Sequence, residues 1–239
     1  MAEIQKGELL HEGKAKKVFA TNNPDLVIQE FKDSATAFDG IKKDTIASKG
    51  IVNNSVSCVM FKMLESKGIK THLVEKLNDR DMLVKKLKIL MVEVVVRNVA
   101  TGSLVKRLGF EDGKKLDPPL VEFFLKDDSL HDPLIIDQHA ILLGIANQDE
   151  LNFIRDTGRR INDLMKEHFL TLGLNLIDFK LEFGRHKGEI LLGDEISPDT
   201  CRLWDVETGK KLDKDRFRFD LGDVGEAYQE VLKRVTGNS

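Results

Sequence analysis

The sequence predicts an α+β chain, strands first and helices late. Three observations carry this. The first third is rich in short β-branched and apolar runs broken by turn residues. The two clearest helix starts lie late, at Asn147 and near Asp223. Nowhere do strands and helices alternate in the regular βαβ manner that a doubly wound parallel sheet needs.

The elements follow in order. "KKVFATNNPDLVIQEF" (16–31) reads as two strands joined by the turn sequence NNPD. Residues 44–66 read as a helix, with Ile46, Val52, Val56, Val59 and Met63 at helical spacing and Gly68 as the stop. "MLVKKLKILMVEVVVRNVA" (82–100) reads as strand, and 113–139 as a loop-rich segment holding one short strand, "VEFFL". At Asn147 a capping side chain meets Glu150 three residues on, and Leu151, Ile154, Ile161, Leu164, Met165 and Phe169 form a buried stripe ending before Gly173. Near Asp223, with Glu226 three residues later, a second helix buries Val224, Tyr228, Val231 and Leu232.

In "LIDFKLEFGRHKGEILLGDEISPD" (176–199), Ile177, Phe179, Leu181 and Phe183 alternate with Asp178, Lys180 and Glu182, the period of a strand with one oily face. A hairpin through the four-residue loop "RHKG" sends Asp194 to the oily side, opposite Phe179. A bulge near Gly193 would turn it to the charged side, beside Glu182. Two neighbouring carboxylates suit Mg²⁺, which takes one or two of them plus phosphates and water. A solvated face laced with ion pairs is the competing reading.

Other segments suit anions. In "EVVVRNVATGSLVKR", Arg97 closes an apolar run and Thr101-Gly102-Ser103 follow, with Lys106 and Arg107 nearby. Glycine lets backbone N–H groups approach an anion, and arginine forks onto phosphate. In "HEGKAKKVF", Lys14 and Lys16 share a face if the chain is extended, without the second glycine and GK[ST] of a Walker loop. "SATAFDGIKKD" holds Asp39 in a DG turn, and the late arginines Arg202, Arg216 and Arg218 can bind phosphate or carboxylate. His131-Asp132 forms a further polar pair, and the six histidines and two separated cysteines show no zinc pattern. Each segment alone also fits an ordinary turn or exposed basic edge.

The bulk numbers exclude several classes. The chain has 239 residues, 41% of them hydrophobic, enough for a full core in one large domain or two lobes. A net charge of −3, from 37 basic against 40 acidic residues, offers no field for nucleic acid or anionic lipid. Cys58 and Cys201 suggest no disulfide framework, and "MAEIQKGELLHEGK" no apolar leader, so a cytoplasmic protein is expected. No apolar run approaches the roughly 20 residues of a membrane helix. The longest, "ILMVEVVV", contains Glu93 and reads as buried strand.

Taken together, "EVVVRNVATGSLVKRLG" and "LIDFKLEFG" resemble the two signature segments of the phosphoribosylaminoimidazole-succinocarboxamide synthase (SAICAR synthetase) family. "GKAKKVF", "TAFDG", "LVKKL", "HDP", "GDEISPD", "CRLWD" and "DKDRFR" extend the resemblance in order along nearly the whole chain. Met91, where the family usually has proline, and Cys201 are small departures. The resemblance implies a two-lobed α+β fold. Residues 1–82 would form a kinase-like antiparallel nucleotide-clamping lobe, and 83–239 a larger ATP-grasp-like lobe for substrate and metal. It implies ATP and Mg²⁺ as cofactors, with carboxyaminoimidazole ribotide and L-aspartate as substrates. Lys14, Ala15 and Lys16 would line the ATP phosphates, and Val84 and Lys85 the adenine. Glu182 and Asp194 would hold metal. Arg97, Ser103, Arg202 and Asp39 would hold the ribotide, with Asp132 a weaker contact. Asp178, Lys180 and Arg218 would handle the substrate carboxylate and aspartate. A homodimer is expected from the same resemblance. The alternative is a kinase-like phosphotransferase with the same nucleotide site.

Overall fold

Strands β1 (Lys6–Glu12), β2 (Lys16–Thr21) and β3 (Leu26–Phe31) open the fold in this computed structural model, which describes residues 3–37 and 41–237. The NNPD turn forms as expected. The Asn23 side chain accepts from the Asp25 N–H at 3.0 Å, and its carbonyl accepts from Leu26 N–H at 3.0 Å. A short ribbon of β4 (Ser34–Ala37) and β5 (Lys42–Thr45) follows.

Helix α1 (Lys49–Ser66) begins five residues later than the expected residue 44. Residues 42–45 pair with β4 instead, and Ser48 is left-handed at φ 63°, which breaks the chain direction before the helix. Ile46 is therefore not on the helical stripe. It packs in a small satellite core with Ala35, Ala37 and Phe217. The first turn of α1 is wedged against β3: Gly50 N–H donates to Asp33 Oδ1 at 2.9 Å, and a Cβ at Gly50 would lie 2.5 Å from the Phe31 carbonyl oxygen. Because a backbone atom blocks the space, Gly50→Ala is expected to destabilise the fold by about 1–3 kcal/mol. A urea midpoint equal to that of the wild type would refute the wedge.

The apolar run 82–100, read as one strand, is two strands in two sheets. β6 (Leu73–Lys76) and β7 (Asp81–Lys85) complete a five-stranded sheet of order β1-β2-β3-β7-β6. β8 (Lys88–Val99) enters a six-stranded sheet. The break at Lys86–Leu87 is tied to packing. The Lys86 N–H is taken by the Asp25 carbonyl at 2.8 Å. The Leu87 side chain fills the space above Gly184 and Gly193, where a Cβ on either would lie 2.7 Å from it.

The second sheet runs β10-β9-β8-β11-β12, with β13 also pairing β11. Its further strands are β9 (Lys115–Leu125), β10 (Leu134–Ile135), β11 (Leu174–His186), β12 (Glu189–Leu192) and β13 (Cys201–Asp205). β9 is much longer than the expected "VEFFL", because cross-strand partners on β8 extend it back to Lys115. Short helices α2 (Ser103–Leu108), α3 (Asp137–Leu142) and α5 (Asp215–Arg218) lie in the connections. Helix α4 (Gln148–Thr171) carries the predicted reciprocal cap: Asn147 Oδ1 accepts from Glu150 N–H and Glu150 Oε2 from Asn147 N–H, both at 2.9 Å. Its stripe packs on β8, and Gly158 lets the backbone close on Val94 and Val96. Helix α6 (Val224–Thr236) buries Tyr228 and Val231 as expected, but Asp223 does not cap it through its side chain. The result is a mixed α+β fold with antiparallel sheets around one large core. No helix among the described residues is long and apolar enough to cross a membrane.

Candidate active site

A cavity of about 920 Å³ lies where the first sheet meets the β8–β11 face of the second. Every residue that the family resemblance assigns to the site lines it, except Asp39, which lies outside the described residues; Lys106, Arg107 and Arg216 do not, and Arg216 instead donates to the carbonyls of Lys211, Leu221 and Gly222. Asp132, the weaker expectation, lines it as well.

The β11–β12 turn differs from the expected four-residue loop. It has two residues, Lys187 and Gly188, both at positive φ (49° and 85°), and pairs Phe183 with Leu192. Such turns suit the twist of paired strands. The two-residue change in register keeps the parity, so regular continuation still sends Asp194 to the oily face. The chain avoids this by leaving the sheet. β12 ends at Leu192, which also bonds the 70–72 segment on its other side, with Leu192 N–H to Lys70 O at 3.0 Å and His72 N–H to Leu192 O at 2.8 Å. Gly193 N–H still donates to Glu182 O at 2.9 Å, and Asp194 then turns left-handed at φ 57°.

That turn places Asp194 with Glu182 around one ammonium group. Lys180 Nζ bonds Glu182 and lies 3.3 Å from Asp194 Oδ2 and 3.1 Å from Glu93 Oε1. Lys16 bonds Asp194 and lies 3.1 Å from Glu195 Oε1. Lys126 donates to Glu182 Oε1 at 2.8 Å. Glu93 and Glu182 are direct cross-strand partners, a repulsive pair unless a cation sits on it. Burial alone would discharge Lys180, but Glu182, Asp194 and Glu93 outweigh it and hold its pKa well above the usual lysine value. Burial likewise opposes ionised Asp194, yet Lys16 and Lys180 hold it far below the usual carboxylate range. Glu93 goes the other way: burial raises its pKa despite Lys180.

A second row alternates acid and base. Arg97 Nε donates to Glu122 at 2.8 Å, its Nη1 to Asp178 Oδ2 at 2.8 Å and its Nη2 to Ser103 Oγ at 3.1 Å. Asp178 also accepts from Arg202 Nη1 at 2.7 Å. Asp215 binds Arg202 Nε at 2.8 Å and Arg218 Nη1 at 2.7 Å. The register explains the order, since Asp178 pairs Arg97 on one side and Arg202 on the other. Gly102 has φ 60°, and a Cβ there would lie 2.8 Å from the Arg202 guanidinium, so glycine admits this arginine. Burial works against the charge of Arg202, but Asp178 and Asp215 keep its pKa raised.

Behind this row, Asp213 is fully buried and accepts the N–H groups of Leu203 (2.9 Å) and Asp215 (2.8 Å). Burial, helped by the Asp215 charge, pushes it up to about 7. The folded chain thus binds a proton there that the unfolded chain releases near pH 4. This group's contribution to stability is complete below about pH 4 and is lost as pH rises through about 7, on the order of a few kcal/mol. Asp213→Asn is expected to compare better with the wild type at pH 8 than at pH 4. A thermal-midpoint difference independent of pH would contradict this.

The nucleotide-side expectations also fall on the wall. Lys14 pairs with Asp128 at 2.7 Å, and Val84 is buried in β7. The Lys85 N–H is committed to the His72 carbonyl at 2.8 Å and its Nζ lies 3.3 Å from Thr71 O. Among the described residues no three His, Cys, Asp or Glu side chains gather as a ready metal cage. The donor set is Glu182 and Asp194, with ammonium groups between them. That suits a hard cation completed by phosphates and water.

The model of the family described as SAICAR synthetase matches residues 9–235. This chain belongs to the SAICAR synthetase family. A phosphoribosylaminoimidazole-succinocarboxamide synthase of Chlorobium luteolum is 63% identical over 235 residues, covering 98% of each chain. The solved Ehrlichia chaffeensis synthase is 46% identical with a TM-score of 0.94, over 97% of this chain and 100% of that one. A SAICAR synthetase solved in complex with ADP is 48% identical with a TM-score of 0.93, over 99% of each chain.

Relative to the residues that mark it as a SAICAR synthetase, the cavity contains more charge. Lys126, Glu93, Glu195, Asp199 and Lys214 line it and were not singled out as site residues. Glu93 had a visible signal, a lone acid inside an eight-residue apolar run. Glu195 and Asp199 stand in GDEISPD and Lys214 in DKDRFR, whereas Lys126 carries no signal, since its role depends on which strands and loops converge.

Proposed function

We propose that the protein is an ATP-dependent ligase of purine biosynthesis. It joins L-aspartate to the carboxylate of carboxyaminoimidazole ribotide and yields SAICAR, ADP and phosphate. The supporting observation is one cavity that combines lysines on a strand edge, a carboxylate pair and a row of arginines. Few single-substrate sites need all three.

A carboxylate repels nucleophiles, so it must be activated. In this reading a ribotide carboxylate oxygen attacks the γ-phosphorus, the bond to ADP breaks, and an acyl phosphate forms. The aspartate nitrogen then bonds to the carbonyl carbon. Phosphate leaves with the former carboxylate oxygen and takes a proton from the nitrogen. Lys14 and Lys16 hold the phosphates, and Val84 and Lys85 lie on the adenine side. Arg97, Ser103 and Arg202 hold the ribotide, with Asp39 as a further contact. Asp178, Lys180 and Arg218 orient the two carboxylate-bearing partners, so that proximity supplies much of the rate. Glu182 and Asp194 would hold Mg²⁺, which, when bound, neutralises charge where carboxylate and phosphates meet.

The two-lobed description, kinase-like before and ATP-grasp-like after, belongs to the same proposal. Its boundary at 82/83 falls inside β7, and the break between the two sheets lies at Lys86–Leu87. The protein would work in the cytosol as a homodimer on small molecules, without nucleic acid or membrane. The test is steady-state ADP release with each substrate omitted in turn. Release is expected to need ribotide and aspartate together. Full turnover without aspartate would favour a phosphotransferase.

A further inference from the structure

We propose a second ligand site, between α1 and α6, for a small organic anion with an apolar body. A cavity of about 600 Å³ lies there, within the size range of small-molecule pockets. It shares no lining residue with the main cavity. Ile51 and Val59 of α1 and Leu232 of α6 supply apolar wall. Lys62, Lys76 and Lys233 surround them.

The charges carry the inference. Among the described residues none of these three lysines has a carboxylate within ion-pair distance, and Lys76 donates only to the Ser55 hydroxyl, at 2.8 Å. Asp79 is the one acid on the wall, and it pairs with none of them. In the main cavity, Lys16, Lys126 and Lys180 are each held by carboxylates. Lys62 and Lys233 are exposed and Lys76 is half-buried, so an anion seated on the apolar wall meets their positive charge without having to displace a carboxylate. The apolar wall gives the occupant's body a place to leave water. A bare inorganic anion would use only the charges, and a neutral hydrocarbon only the wall.

The probe is 8-anilinonaphthalene-1-sulfonate, an aromatic body with one fixed negative charge, titrated by fluorescence into the full chain saturated with ADP and Mg²⁺. Its uncharged counterpart, N-phenyl-1-naphthylamine, is titrated in parallel. Saturable sulfonate binding is expected, at least about tenfold tighter than that of the uncharged probe, the loss of one charge-assisted contact. The double variant Lys62→Glu with Lys233→Glu, shown to be folded by an unchanged thermal midpoint, should weaken the sulfonate by at least about tenfold and leave the uncharged probe unaffected. Val59→Trp, which fills the cavity, should weaken both probes. Equal affinity for the two probes, wild-type sulfonate affinity in the charge-reversed variant, or no saturable binding by the wild type would each overturn the site.

Discussion

Glu182→Gln is expected to lower kcat by about 10²–10³-fold, the usual effect of removing one preorganised electrostatic contact from a reacting centre. Lys180 and Lys126 both bond Glu182 through Oε1, and no hydrogen bond among the described residues engages Oε2. Glu182 thus keeps one oxygen free of hydrogen bonds, with which it would help hold a cation. Glutamine keeps the shape, but removes the charge that faces two ammonium groups in a nearly buried position. Titration of Mg·ATP should show weaker binding, while ribotide binding stays near that of the wild type. Asp194→Asn should behave alike, since Asp194 is held by Lys16 and Lys180 in the same cluster. Wild-type turnover in either variant would remove that residue from the proposed metal site.

Arg97→Ala is expected to act on stability and binding together. Arg97 is almost fully buried and bonds Glu122, Asp178 and Ser103 at once. Breaking a buried pair by removing one partner costs about 3–5 kcal/mol. The lower end applies, because Glu122 retains Arg107 at 2.7 Å and Asp178 retains Arg202 at 2.7 Å. Ribotide affinity should fall roughly ten- to a hundredfold, the worth of one charge-assisted contact, with ATP affinity little changed. Arg97→Lys should not restore either property, since a point ammonium cannot span three acceptors held by a planar fork. Urea midpoints read the first effect and ribotide titration the second. Lost stability with unchanged ribotide affinity would make Arg97 scaffolding alone.

Local periodicity made several parts legible without coordinates. The β11 row of Asp178, Lys180 and Glu182 and the capped stripe of α4 repeat every two and every three to four residues, and both appear as read. The order of short motifs identified the family, and the site residues they named, Asp39 aside, line one cavity. What local pattern does not contain is the partner. Ile46 fits a helical stripe, yet its segment pairs as strand because β4 lies beside it. The run 82–100 has continuous β propensity, and only Asp25, Gly184 and Gly193 from elsewhere break it at Lys86–Leu87. The hairpin loop closes at two residues, because β11 and β12 pair from Phe183 and Leu192 to His186 and Glu189.

The site divides along the same line. The sequence by itself determined which charges stand in a row, because strand geometry sends alternate residues to one face. Only the tertiary structure decided what those charges meet. Asp194 joins Glu182 because Leu192 is bonded on both sides, after which the chain turns out of the sheet at a left-handed residue. Glu93, Lys126 and Glu195 complete the cluster from β8, the β9–β10 connection and the segment after β12 respectively. Coulomb energy depends on distance through space, and distance through space between remote residues is set by packing rather than by position along the chain.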